Sequence, residues 1–251
     1  MNHILLSAKH IRKAFDEKQP AILNDLSLDI NEGDFTVVMG PSGAGKSTLL
    51  YALSGMDEIS DGQVFFRDQE ISRMSEKALS KLRAMDFGFV FQQANLVSNL
   101  TLLENVVVPG YLHPQRSAEE TRKRAALLFE QMTVGDARNR FPAEVSGGEA
   151  QRAAVARAVI NEPELLFADE PTGALNRGNT EEVLELLTML NQAGQSILMV
   201  THDTHAAVRG NRLLYLEDGR IIGEKIMPAY TDGSGKAREA EINDWLHDLS
   251  W

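Results

Sequence analysis

The chain has 251 residues, 43% of them hydrophobic, a formal net charge of −11 and no cysteine. That length suits one large domain, or one domain with a helical insert, and is too short for two full domains. The acidic balance weighs against nucleic acid and anionic lipid as partners, and the lack of thiols excludes a disulfide framework and thiolate metal sites.

Residues 1–15 alternate apolar and charged side chains without a long apolar core, so no secretory leader is expected. No stretch approaches the ~20 apolar residues that cross a bilayer, and any crossing is assigned to another polypeptide. Residues 26–30 alternate in the manner of a half-buried strand. Residues 35–39 (FTVVM) form a continuous apolar run, as a buried strand does, and lead into a Gly-rich loop and a helix starting near Lys46. Residues 63–66 and 87–90 read as further strands. From about residue 94 to 160 the character is helical. Ser117 with Glu120 makes an S-x-x-E capping box for a helix over 118–132. Ser146 with Glu149 makes a second, for a helix running to about Ile160, where Asn161 and Pro163 stop it. Residues 165–168 and 197–201 return to buried strands, separated by a helix over 180–191. Strands at 212–216 and 221–223 flank Asp218-Gly219, a hairpin signal. Strands alternating with helices predict a mostly parallel sheet covered on both faces.

Gly40-Pro41-Ser42-Gly43-Ala44-Gly45-Lys46-Ser47, with Thr48 next, fits G-x-x-x-x-G-K-[ST] between a buried strand and a helix. Gly43 and Gly45 let the backbone curl until its N–H groups face a phosphate, and the helix end adds partial positive charge. Lys46 is placed to reach the β- and γ-phosphates, and Ser47 offers a hydroxyl to Mg²⁺. The apolar run 165–168 ends in Asp169 and Glu170. Two carboxylates at the end of a buried strand need a cationic neighbour, and phosphate-bound Mg²⁺ suits that place. Asp169 is assigned to the Mg²⁺ shell and Glu170 to polarising the attacking water. His202 follows another buried strand and could face the γ-phosphate. On its own a lone histidine is read as structural, and His205 stays in that category.

The segment 145–152 (VSGGEAQR), together with the phosphate loop, Gln92, Asp169-Glu170 and His202 in that order, resembles the ABC (ATP-binding cassette) ATPase family over residues 4–225. The resemblance implies an α/β fold of P-loop NTPase (RecA-like) type. Its parts are a mostly parallel sheet core, an N-terminal antiparallel β subdomain and an inserted α-helical signature subdomain at about 94–160. The ATPase domain would span 1–225, with a tail over 226–251. The resemblance places Phe15 at the adenine-stacking position and Gln92 at the glutamine that touches Mg²⁺ near the membrane partner. It makes Glu170 the general base and puts His202 on the γ-phosphate. The cofactors implied are ATP and Mg²⁺, the metal ligands being Ser47, Gln92 and Asp169. Ser146, Gly147, Gly148 and Glu149 would bind the ATP held by a second copy of the chain. Read from the residues alone, Ser146 caps a helix whose first two residues are glycine, leaving N–H groups open to an anion. Asn176 stands in the D-loop where the family usually has aspartate, which predicts altered communication between the two sites.

Residues 87–105 and 168–175 are similar to an exporter-like branch that includes macrolide exporters, lipoprotein-release ATPases and antimicrobial-peptide resistance systems (MacB-, LolD- and BceA-like). That branch pairs with FtsX-like permeases, which would hold this chain at the cytoplasmic face of the membrane. Importer ATPases, and soluble ABC ATPases acting on a non-membrane scaffold, remain the alternatives. In the tail, Ile242, Trp245, Leu246 and Leu249 form an apolar helical stripe opposite Glu239, Glu241, Asp244 and Asp248, with Trp251 last. It reads as a helix packed on its own domain or on the dimer mate, or else as a docking element.

Overall fold

The structure, a computed structural model, describes residues 3–16 and 20–249, so Trp251 lies outside the described residues. The first elements in chain order are β1 (Ile4–Lys13), β2 (Leu23–Asn31), β3 (Phe35–Met39), α1 (Lys46–Leu53), β4 (Asp61–Phe66), β5 (Gln69–Glu70), α2 (Glu76–Met85) and β6 (Phe87–Val90). They are followed by α3 (Leu102–Gly110), α4 (Ala118–Gln131), α5 (Gly147–Val159), β7 (Leu165–Asp169) and α6 (Arg177–Gln192). The last are β8 (Ser196–Val200), α7 (Thr204–Ala207), β9 (Arg212–Glu217), β10 (Arg220–Ile226) and α8 (Gly235–Asp248). The chain divides into two compact units, one made of Met1–Leu79 with Asn191–Trp251, the other of Ser80–Leu190.

In the first unit β3 is a central strand. It pairs in parallel with β8, Val38 opposite Val200, and with β9, Thr36 opposite Arg212. Every residue of β3 and β8 is buried, the pattern of parallel strands covered on both faces. β10 returns antiparallel to β9 through Asp218 and Gly219, whose φ angles are 47° and 71°. Two successive positive φ values match the twist of a two-residue hairpin, which is why Asp-Gly signals one. A second, antiparallel sheet has the order β2-β1-β4-β5. Its strand β1 is not assigned by the residue pattern. Register shifts around Ile11, and His10 at φ 51°, break the period of two along it.

The second unit holds the parallel pair β6 and β7, Phe87 opposite Leu165 and Val90 opposite Ala168. The Phe87 and Phe167 rings meet edge to face at 5.1 Å. Helices α3, α4 and α5 each open with a reciprocal capping box, at Thr101/Glu104, Ser117/Glu120 and Ser146/Glu149. α5 buries residues on nearly every side, including Gln151, Arg152, Ala153, Ala154, Val155 and Ala156. It lies directly on β6, for a Cβ at Gly88 would stand 2.5 Å from the Ala158 carbonyl oxygen. Two guanidinium groups close its far end. Arg116 Nη1 and Arg124 Nε donate to the Ile160 oxygen at 2.6 and 2.8 Å, putting cations where the helix dipole is negative. The expected α/β class, the antiparallel N-terminal sheet and the parallel strands are all present.

The tail packs on its own unit. Ile242 and Leu246 are buried, and Trp245 meets Tyr215 of β9 edge to face at 6.4 Å. Trp245 and Leu249 lie over Gly223 of β10, where a Cβ would stand 2.6 Å from Leu249 Cδ1. Lys225 and Glu241 pair across the same contact at 2.9 Å.

Candidate nucleotide site

In the first unit, β3 delivers the chain straight into the Gly-rich loop. A Cβ at Gly40 would lie 2.0 Å from the Leu216 carbonyl oxygen, so only glycine fits between the loop and β9. Gly43 meets nothing within 4 Å, and its φ of 84° is what demands glycine there. Gly45, at φ 100°, is the residue before α1. Lys46 is buried, and its ammonium donates to the Gly40 and Pro41 oxygens at 2.8 and 2.9 Å. The cation is thus folded over the loop it follows. Ser42 and Gly43 are exposed on the rim, while Ser47 and Thr48 are half-buried in the first turn of α1.

His202 leaves the same edge of the sheet. The β3–β8 register brings Val38 and Val200 side by side and in parallel, so the phosphate loop and His202 emerge together at the carboxyl ends of their strands. This is the edge at which parallel sheets bind ligands. His202 itself is exposed, next to buried Thr201. Phe15 is 66% exposed, with the Lys13 ammonium 4.7 Å from its ring centre. Lys13 is held in turn by Asp57 and the Glu58 oxygen, both at 2.6 Å. A cavity of about 600 Å³ adjoins the loop between Gly43–Ala44 and the Arg12, Ala21 and Ile22 side.

In the second unit, β7 ends at Asp169, which is buried, and Glu170 follows with φ 46°. A left-handed conformation is costly for a residue with a Cβ, by ~1 kcal/mol or more. It is held here because the Gly173 N–H donates to the Glu170 oxygen at 2.9 Å, closing a tight turn. Gln92 packs on that turn, its Nε2 2.9 Å from where a Gly173 Cβ would be. The structure therefore brings Gln92 and the turn after Glu170 together.

Two residues that sequence reasoning missed hold this arrangement. Gln151, on α5 and 1% exposed, donates through Nε2 to the Phe91 and Pro171 oxygens, both at 2.7 Å. One amide thus ties the Gln92 segment to the Glu170 turn. Arg157 donates to the Asn95 and Ala94 oxygens at 2.7 and 2.9 Å, anchoring the segment beyond Gln92 to the same helix. Burial pulls the Arg157 pKa down from its ordinary value. Gln151 lies in the segment 145–152 that carries the resemblance but has no role assigned there, and the sequence signal for Arg157 is a polar side chain on a helix rich in alanine and valine.

The signature helix α5 begins as its capping box predicts. Ser146 Oγ accepts the Glu149 N–H at 3.2 Å, and Glu149 accepts the Ser146 N–H at 2.8 Å. The Ser146 N–H, and after it the Ser146 hydroxyl, which donates to the same carboxylate oxygen at 2.7 Å, hold the Glu149 carboxyl below its ordinary pKa. Ser146 and Gly147 are exposed, and Gly148 is buried. A Cβ there would sit 2.3 Å from Asn179 Oδ1, so Gly148 allows the close approach of α6. Asn176 Oδ1 accepts the Asn179 N–H at 3.1 Å and caps α6. Asparagine and aspartate cap about equally well, which is why the departure from aspartate leaves the local fold intact.

Among the described residues no three His, Asp or Glu side chains cluster as a metal cage. Ser47, Gln92 and Asp169 offer hard oxygen donors, the type Mg²⁺ takes alongside phosphate and water.

Residues 23–173 match the family described as ABC transporter. The chain belongs to that family. It is similar to the lipoprotein-releasing system ATP-binding protein LolD of Aquifex aeolicus, 44% identical over 220 residues, which cover 88% of this chain and 97% of that protein. It is also similar to the macrolide export ATP-binding/permease protein MacB of Aggregatibacter actinomycetemcomitans, 39% identical over 88% of this chain and only 34% of that protein, so it spans about a third of that relative. The fold superposes on the dimeric ATP-binding cassette MJ0796 in a post-hydrolysis state bound to ADP and Pi, with TM-score 0.82 and 36% identity over 90% of this chain and 100% of that one. This ABC ATPase is thus a nucleotide-hydrolysing transporter subunit of the LolD/MacB type. No helix among its described residues is long and apolar enough to cross a membrane.

Proposed function

We propose that this ATPase powers an FtsX-like membrane permease, of exporter or mechanotransmission type, through ATP-driven pairing of two copies. The observation that carries the reading is a chain with two glycine-flanked helix amino ends, one half-buried after the phosphate loop and one exposed at Ser146-Gly147. Each is an anion site in its own right. One ATP needs the first from its own subunit and the second from a partner, which gives two sites about a two-fold axis. The dimeric cassette to which the fold is similar supports this arrangement.

In each site Phe15 stacks on the adenine, and residues 40–48 wrap the phosphates with Lys46 supplying positive charge. Ser47, Asp169 and Gln92 would hold Mg²⁺, which would supply neutralising charge to the phosphates. Glu170 takes a proton from water as it attacks the γ-phosphorus, and His202 holds the γ-phosphate. Ser146, Gly147, Gly148 and Glu149 of the partner close the other side. Loss of the γ-phosphate frees the partner's helix end, and the opening pair moves the permease. The cassette takes residues 1–225, with a helical subdomain at 94–160, and the permease keeps the protein at the cytoplasmic face of the membrane.

The experiment is an affinity pull-down of the tagged protein from detergent-solubilised cells, with every co-purifying chain identified. An FtsX-like permease is the expected result. A permease of importer type with its binding protein, or soluble partners alone, overturns the proposed machine while leaving the ATPase.

For Asn176, the cap it makes predicts a specific pattern. Asn176→Asp changes thermal stability by less than ~0.5 kcal/mol, since both residues cap well. It changes the cooperativity of turnover with ATP concentration, because a charge enters the segment facing the partner copy. Unchanged cooperativity and rate would remove Asn176 from communication between sites.

A further inference from the structure

We propose that Arg238, on the C-terminal helix α8, is a positioning residue for His202. This rests on the reading of His202 as the γ-phosphate contact and extends it to the tail.

His202 lies between β8 and α7, a helix of four residues. A helix that short has no stability of its own, so its place is set by what holds its two ends. At the amino end, Thr201 Oγ1 accepts the Asp203 N–H at 3.1 Å and Asp203 Oδ1 accepts the His205 N–H at 2.9 Å. At the carboxyl end the backbone turns through Val208, Arg209 and Gly210 before β9 begins. There the Arg238 guanidinium donates from Nε to the Val208 oxygen at 2.6 Å, from Nη2 to the Gly210 oxygen, and from Nη1 to the Pro228 oxygen at 2.7 Å. Val208 is the C-cap of α7, its N–H bonded to Thr204 and Ala206 oxygens.

Arg238 is 6% exposed. The Tyr230 ring lies beside it, 5.8 Å from its guanidinium carbon and 4.4 Å from that of Arg209. One planar fork therefore ties three carbonyls, two of them at the exit of the His202 turn, to the tail. Removing it leaves the carbonyls of buried Val208 and Gly210 without that donor and loosens the carboxyl end of α7, which then rests on the backbone bonds of residues 209–211 alone. The tail becomes a clamp on the segment that carries His202, and not merely a cover over β9 and β10.

The test is steady-state MgATP hydrolysis by the purified full chain, comparing Arg238→Met, His202→Ala and the double variant. Expected is a fall in kcat of about tenfold for Arg238→Met, from a displaced contact, with KM for MgATP unchanged. The same substitution adds nothing further once His202 is alanine. Arg238→Lys, which keeps charge but cannot fork, falls between Arg238→Met and the parent. If Arg238→Met does not fold, Arg238→Lys alone and with His202→Ala makes the same comparison. Equal losses in both backgrounds mean a general structural role and overturn the proposal, as does no loss with His202 present. A normal kcat for His202→Ala alone removes the reading on which the proposal depends, an outcome distinct from either.

Discussion

Glu170→Gln abolishes steady-state ATP turnover, by about 10²- to 10⁴-fold, and leaves ATP binding intact. The backbone at this position is set independently of the carboxylate. Its left-handed φ of 46° is locked by the Gly173 N–H, and the Gln151 amide holds the following Pro171 oxygen at 2.7 Å. Glutamine is isosteric, so the turn survives while the group able to accept a proton does not. With ATP bound and no hydrolysis to release it, the pair of subunits stays closed. Phosphate release checks the rate, and size-exclusion chromatography in MgATP, against the parent, checks the trapped dimer. Turnover at the parent rate would displace Glu170 from its role.

Gly148→Val should separate binding from pairing. A Cβ at this position would stand 2.3 Å from Asn179 Oδ1 and 2.4 Å from its Cγ, so either Asn179 or the start of α5 must move. The phosphate loop lies in the other unit of the chain and keeps its own geometry. Nucleotide affinity of the single subunit is therefore retained, ATP-dependent dimerisation is lost, and turnover falls about 10²-fold through loss of the partner's donors. Equilibrium binding of a fluorescent ATP analogue, light scattering and phosphate release measure the three quantities. Adding Asn179→Ala makes room for the valine and restores part of the dimer. A dimer that forms normally in Gly148→Val would mean that the Ser146 helix end does not meet the nucleotide of a partner.

Much of the chain was legible because its determinants are local. A phosphate loop is written in consecutive residues, and its glycines at 40, 43 and 45 all take positive φ angles, although the contact that demands glycine at 40 comes from Leu216 of β9. Capping boxes join residues three apart, so Ser117/Glu120 and Ser146/Glu149 could be placed before any packing was known. The Asp218-Gly219 hairpin follows from two positive φ values. Where local cues are weak, elements are missed or lack bounds. α2 is not assigned from the sequence although Ala78, Leu79, Leu82 and Met85 recur at helical spacing, and none of its residues is fully buried. α3 lies within the stretch read as helical, but its bounds are not assigned, for Val106-Val107-Val108-Pro109 is a β-branched run ending in proline and its Thr101/Glu104 box is the local cue for its start.

What the sequence alone determined was the family, the α/β class and the phosphate-binding chemistry, since each depends on short motifs in a fixed order. Tertiary structure alone decided which side chains hold those motifs in place. Gln151 bonds to residues 60 and 20 positions away, and Arg238 to carbonyls 30 and 28 positions away. Gly148 is covered by a helix that starts almost thirty residues later. No periodicity records such contacts, because a hydrogen bond to a distant carbonyl asks only for a donor of the right reach at one position, and the fold supplies the acceptor.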